Sequence, residues 1–148
     1  MIAIIDYGMG NLRSVQKAFE KFCSNVIVSA SAKDILRADK IILPGVGAFK
    51  IAMDELKKRG LISPIKESIE KGKPFLGICL GLQLLFSESE EGGMIKGLDI
   101  IKGKVKRFKK MPELKIPHIG WNSIQTTNHE RRPKGVPSGA EGRATILN

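Results

Sequence analysis

Apolar residues along this chain fall into two rhythms that alternate. Ile2–Ile5 is a short β-branched run without a polar break, which reads as a strand covered on both faces, as in a parallel sheet. The turn Asp6-Tyr7-Gly8-Met9-Gly10-Asn11 follows. Leu12, Val15, Ala18, Phe19 and Phe22 then recur at spacings of three and four, which predicts an amphipathic helix. Residues 26–28 form a second strand candidate. Ser31 precedes Asp34 by three positions, a variant of the capping box that opens a helix. Residues 41–43 form a third strand, cut off by Pro44-Gly45. A helix is predicted over 52–58, stopped by Gly60. Ser63-Pro64 reads as an N-cap with proline at the first helical position, and that helix ends at Gly72. Residues 75–78 form a fourth buried strand, and Leu80, Leu84 and Leu85 continue as a helix. Strand and helix alternate with short connections, which predicts an open, mostly parallel α/β sheet with helices on both faces and right-handed crossovers.

After Phe86 the texture changes. Residues 87–93 read as an acidic loop ending in glycine. In residues 102–110, Lys102, Lys104 and Lys106 point one way and Val105 and Arg107 the other, which suggests half-exposed strands in a meander. Residues 116–121 are a further short strand candidate. From about residue 126 the apolar periodicity fails, and residues 128–148 are rich in Gly, Pro, Arg and small side chains. A folded domain over 1–125 and an irregular tail over 126–148 are expected.

Composition narrows the partners. The 148 residues suit one domain, and 42% hydrophobic content can fill a core. The formal net charge of +10 is compatible with nucleic acid, anionic membranes, phosphorylated substrates or an acidic protein. Only 5% of residues are aromatic, too few to stack bases along a groove, so the lysine-rich segment reads as a solvated strand and no nucleic acid is expected. Cys23 and Cys79 share no CxxC spacing, which argues against a disulfide framework or a zinc site. The N-terminus lacks a basic region and Asp6 interrupts its apolar run, unlike a signal peptide. No apolar run approaches the roughly 18 residues of a spanning helix. A cytoplasmic protein without a membrane partner is expected.

Two glycine-rich turns follow strand candidates. Gly77-Ile78-Cys79-Leu80-Gly81 is the cysteine form of the G-x-S-x-G nucleophile elbow. Such a turn is sharp and strained, so small residues must flank the nucleophile, which then projects above the carboxyl end of the sheet. A helix starting at Leu80 would favour a thiolate and present the Leu80 amide to an oxyanion. The competing reading is a small buried hydrophobe among packing glycines. Pro44-Gly45-Val46-Gly47 has backbone freedom to aim N–H groups outward, though Pro-Gly after a strand is usually only a turn. Cys23, near the end of an amphipathic stretch, reads as packing.

Together, Asp6-Tyr7-Gly8-Met9-Gly10-Asn11, Pro44-Gly45-Val46-Gly47, residues 77–86 and Pro117-His118-Ile119-Gly120-Trp121-Asn122 resemble, in order and spacing, the class I glutamine amidotransferases. The resemblance is closest to the glutaminase subunits of imidazole glycerol phosphate synthase, and it extends over roughly residues 1–139. It implies a flavodoxin-like α/β fold and hydrolysis of glutamine to glutamate and ammonia, without metal or cofactor. Ammonia would pass to a (β/α)8-barrel cyclase subunit in a heterodimer, which forms imidazole glycerol phosphate and an aminoimidazole carboxamide ribonucleotide in histidine biosynthesis. This pairs hydrolase chemistry here with lyase chemistry in the partner. By the same resemblance Cys79 is the nucleophile, and Val46, Gly47 and Leu80 supply oxyanion donors. Gly45 and Gln83 hold the substrate, and Gly10 lies on the loop near the site. Asn11, Trp121 and Asn122 face the partner, although Trp121 also reads as a core or edge aromatic.

The resemblance also implies a base, a histidine in a His-Pro-Glu motif, oriented by its glutamate. That tripeptide does not occur in this sequence. His118 belongs to the Pro-His-x-Gly-Trp-Asn segment and His129 to the irregular tail. Residues 134–139 still resemble the family and 140–148 do not, the pattern of a truncated or frameshifted reading frame. The expected domain is therefore incomplete at its C-terminus, with uncovered core surface and lowered stability. The alternative reading is a catalytically incompetent remnant that keeps the fold and the partner surface.

Overall fold

The computed structural model describes residues 1–108. The expectations placed on Trp121 and Asn122, the strand at 116–121 and the tail at 126–148 lie outside the described residues.

Four parallel strands form the main sheet: β1 (Ile2–Ile5), β2 (Val26–Ser29), β3 (Lys40–Leu43) and β4 (Phe75–Gly77), in the order β2-β1-β3-β4. The unbroken apolar runs of β1 and β3 are explained by helices on both sides. Strand residues alternate between faces, so Ala3, Ile5, Ile41 and Leu43 join one core with Ile35 of α2 (Ala32–Arg37), Phe49, Ala52 and Leu56 of α3 (Phe49–Lys58), and Ile65 of α4 (Ile62–Glu70). Ile2, Ile4 and Ile42 form the opposite core with Val26, against Leu12, Val15 and Phe19 of α1 (Leu12–Glu20). The predicted parallel α/β sheet is observed.

Local chemistry sets most boundaries. The Asn11 side chain caps α1 by accepting from the Ser14 N–H, and Ser31 caps α2 by accepting from the Asp34 N–H, as its spacing predicts. Gly60 and Gly72 take φ of +67° and +74° just beyond α3 and α4, the left-handed conformation that ends a helix without a Cβ clash.

Five expectations are corrected. Helix α1 ends at Glu20, and Phe22 is 89% exposed rather than part of its apolar stripe. Helix α3 begins at Phe49, not 52, because Phe49 turns into the core and the Glu91 carboxylate of a distant loop accepts from its N–H. Helix α4 starts at Ile62 with Leu61 as the capping position, so Ser63 lies inside its first turn and caps nothing; proline is tolerated there because the first-turn N–H groups lack intrahelical partners anyway. Strand β4 is not buried: Leu76 is 47% exposed, since β4 pairs only with β3 among the described residues. The helix after Cys79, α5 (Leu80–Gln83), is a single turn.

The segment 87–93 is also not all loop. Residues 86–89 form β5 (Phe86–Ser89), the centre of a second sheet with β6 (Ile95–Lys96) antiparallel and β7 (Ile101–Val105) parallel to it. The parallel pair is not a meander. Its polar face is held by Lys104 against Glu88, a cross-strand ion pair that sequence spacing does not reveal.

Close backbone approach is the tightest constraint in the main sheet. A Cβ on Gly81 would lie 1.8 Å from the Leu43 carbonyl oxygen, whereas one on Gly60 would meet nothing within 4 Å and carry only the strain of its positive φ. Gly60→Ala should therefore cost about 1–2 kcal/mol. Gly81→Ala should cost about 3 kcal/mol or abolish soluble folding, because backbone must move. Urea unfolding of the two variants checks this order, and equal midpoints would refute it.

Candidate active site

The two glycine-rich turns leave neighbouring strands. Leu43, the last residue of β3, is in register with Gly77, the last of β4, and the Ile78 N–H donates to the Leu43 carbonyl. Residues 44–47 and 78–80 therefore start side by side at the carboxyl end of the sheet, where open α/β folds place their sites.

The second turn is a strained elbow. Cys79 has φ +54° and ψ −117°, a conformation that costs a side-chain-bearing residue about 1–3 kcal/mol and is kept where the surroundings over-determine it. Those surroundings are glycines: a Cβ on Gly77 would lie 2.6 Å from the Leu82 Cα, and Gly81 rests against Leu43. The strain turns Cys79 outward, and its thiol is exposed. The reading of Cys79 as a small buried hydrophobe is overturned. Leu80 is buried immediately after it, and its N–H donates to none of the described residues. One helical turn carries little of an aligned macrodipole, and the Gly81, Leu82 and Gln83 amides donate to the Ile78 and Cys79 carbonyls, so the positive character beside the sulfur comes from the Leu80 amide rather than from a long helix.

The first turn closes on the elbow. A Cβ on Gly45 would meet the Gly81 nitrogen at 3.0 Å and the Leu80 Cβ at 3.1 Å. Gly45 is buried, and Val46 and Gly47 are exposed beyond it. Gly47 takes φ +101°, with the Met9 side chain packed at that point. The backbone N–H groups of Val46 and Gly47 also donate to none of the described residues. Gln83 lies one helical turn after Cys79 and is buried, 8% exposed.

The structure thus brings together Cys79, Leu80, Gln83, Gly45, Val46 and Gly47. Gly10 joins them, since a Cβ there would lie 3.5 Å from the Gly45 nitrogen. Asn11, at the end of the same loop, is exposed and also serves as the α1 cap. Cys23 lies apart, half-buried behind α1. Among the described residues there is no cluster of His, Cys, Asp and Glu suited to a metal and no helix long and apolar enough to cross a membrane.

Two neighbours of the site were not singled out in the sequence. Tyr7 is fully buried, and its hydroxyl donates to the Pro44 carbonyl at 2.9 Å. Burial pushes its phenol up to about 12, and the charge of Cys79 adds to the shift. The available signal was parity: Tyr7 continues the Ala3, Ile5 face of β1. Glu91, in the acidic segment, accepts from the Phe49 N–H at 3.3 Å and ties the second sheet to the residues just after Gly47. No local pattern announces that contact.

The glutamine amidotransferase class-I family matches residues 3–143. The imidazole glycerol phosphate synthase subunit HisH of Syntrophotalea carbinolica is 54% identical over 144 residues, 94% of this chain and 70% of that protein. The Geobacter metallireducens subunit HisH is 49% identical over 146 residues, 95% and 68% respectively, and that of Nostoc punctiforme 55% over 127 residues, 86% and 60%. Both turns of the site fall within the matched residues, and the chain belongs to the class-I glutamine amidotransferases, a family of enzymes.

Proposed function

We propose that the chain is the glutamine-hydrolysing subunit of an imidazole glycerol phosphate synthase, with Cys79 as its nucleophile. The observation that carries this reading is the exposed Cys79 at a positive-φ elbow on the carboxyl end of a parallel strand. HisH relatives at about half identity support the choice of reaction. The Cys79 thiolate attacks the side-chain carboxamide carbon of glutamine. A C–S bond forms, and the carbonyl π electrons move onto oxygen. The Leu80 N–H and those of Val46 and Gly47 hold that oxyanion in the space between the two turns. Collapse breaks the C–N bond, the nitrogen leaves as ammonia with a proton returned by the solvent water that took up the thiol's proton, and a thioester remains. Water cleaves the thioester to glutamate and returns the thiol. Gln83 and Gly45 line the substrate beside the sulfur.

The partner is a cyclase subunit that consumes the ammonia in histidine biosynthesis. The site opens at the carboxyl end of the sheet, and exposed Asn11 stands on the same rim, which suits a docked subunit receiving ammonia directly. The cytoplasm is the proposed compartment for this soluble chemistry.

A chloroketone analogue of glutamine tests the nucleophile without needing a proton donor for a leaving amine: a C–S bond forms as chloride departs. Labelling of the full chain should saturate with analogue concentration and run faster than that of a free thiol, while Cys79→Ser takes up no label and loses at least about 10³-fold in any glutamine hydrolysis. Unsaturable labelling at the free-thiol rate would sink the assignment. For the partner, Asn11→Ser keeps an oxygen able to cap α1. It should leave the melting temperature nearly unchanged yet weaken co-elution with a cyclase subunit. Wild-type chain eluting apart from that subunit would count against the heterodimer.

A further inference from the structure

Tyr7 contributes more than core volume. A phenylalanine would fill the same space, yet the hydroxyl is spent on one acceptor, the Pro44 carbonyl, at 2.9 Å and fully buried. Among the described residues no other group donates to that oxygen. The hydroxyl also touches the next residue: a Cβ on Gly45 would lie 2.4 Å from it. The Pro44–Gly45 peptide is planar, so holding its carbonyl holds the Gly45 N–H in the opposite direction. Proline fixes its own φ, and the first adjustable torsions downstream belong to Gly45, which is wedged between the Tyr7 hydroxyl, the Gly81 nitrogen and the Leu80 Cβ. The turn carrying Val46 and Gly47 is therefore hinged on one phenol. Burial and then the charge of Cys79 push the phenol up to about 12, so the hydroxyl stays protonated and remains a donor through neutral pH.

We propose that Tyr7 is a positioning residue for the Cys79 chemistry: its buried hydroxyl, by holding the Pro44 carbonyl and abutting Gly45, sets the turn whose amides stabilise the oxyanion. This rests on the reading of Cys79 as nucleophile. A misplacement of oxyanion donors is felt in the transition state far more than in ground-state binding.

The test is chloroketone labelling of the full chain, resolved into a limiting rate and a half-saturating concentration, for wild type, Tyr7→Phe and Cys79→Ser. The analogue's ketone oxygen occupies the oxyanion position and gains charge as chloride is displaced, so Tyr7→Phe should lower the limiting rate about tenfold and leave half-saturation within about twofold, in protein whose melting temperature shows it to be folded. An unchanged limiting rate, or a change confined to half-saturation, overturns the proposal while leaving the nucleophile in place. Wild-type labelling at the free-thiol rate removes both readings together. Tyr7 is the only tyrosine, so biosynthetic fluorotyrosine marks it alone and needs no destabilising substitution. Its 19F resonance should move when Cys79 is alkylated and stay fixed in Cys79→Ser treated alike; a resonance that ignores the label overturns the proposal even if Tyr7→Phe fails to fold.

Discussion

The contact on which this structure turns is the approach of the Gly81 backbone to the Leu43 carbonyl. At 1.8 Å from a would-be Cβ, it leaves no room for any side chain. It draws the start of α5 onto the end of β3. It also forces the chain to reverse within residues 78–80, and Cys79 absorbs that reversal at φ +54°. A strained residue is tolerated only where its neighbours leave no alternative, and here both flanks are glycines packed on backbone. The same packing presents the thiol to solvent.

Around this contact the fold is arranged so that independent elements converge. Strand β1 sends Tyr7 under the first turn and Gly10 beside it; β3 supplies the turn itself; β4 supplies the elbow. The second sheet reaches back through Glu91 to the first amide of α3, just past Gly47. A side-chain carboxylate at that position satisfies an orphan N–H and complements the positive end of the helix. Tyr7 at the entry and Glu91 at the exit thus fasten a turn whose glycines, taken alone, permit many conformations. Preorganised amides stabilise a developing charge without reorganising at the moment of reaction; if Cys79 acts as proposed, a turn fastened at both ends suits that role.

Much of this was legible in the chain. The alternation of β-branched runs with three-four periodicity determined a parallel α/β sheet, because each residue's face follows from backbone geometry alone. The cap at Ser31 and the stops at Gly60 and Gly72 depend only on neighbouring residues. The elbow motif and the Pro-Gly-Val-Gly turn were legible as types, and their order placed them on successive strands.

What only the tertiary structure decided concerns partners far apart in sequence. That Cys79 is exposed rather than buried depends on Gly81 meeting Leu43, 38 positions earlier. The early start of α3 depends on Phe49 entering the core and on Glu91, 42 positions later. Residues 87–89 are polar and read as loop, yet they pair as a strand because β6 and β7 flank them. Leu76 is apolar and read as buried, yet among the described residues no strand covers its outer edge. Sequence by itself determined which elements form and which residue types they offer, since those follow from local torsions and periodicity. Burial, edge position and the meeting of the two turns were decided by long-range contacts, which no local pattern encodes.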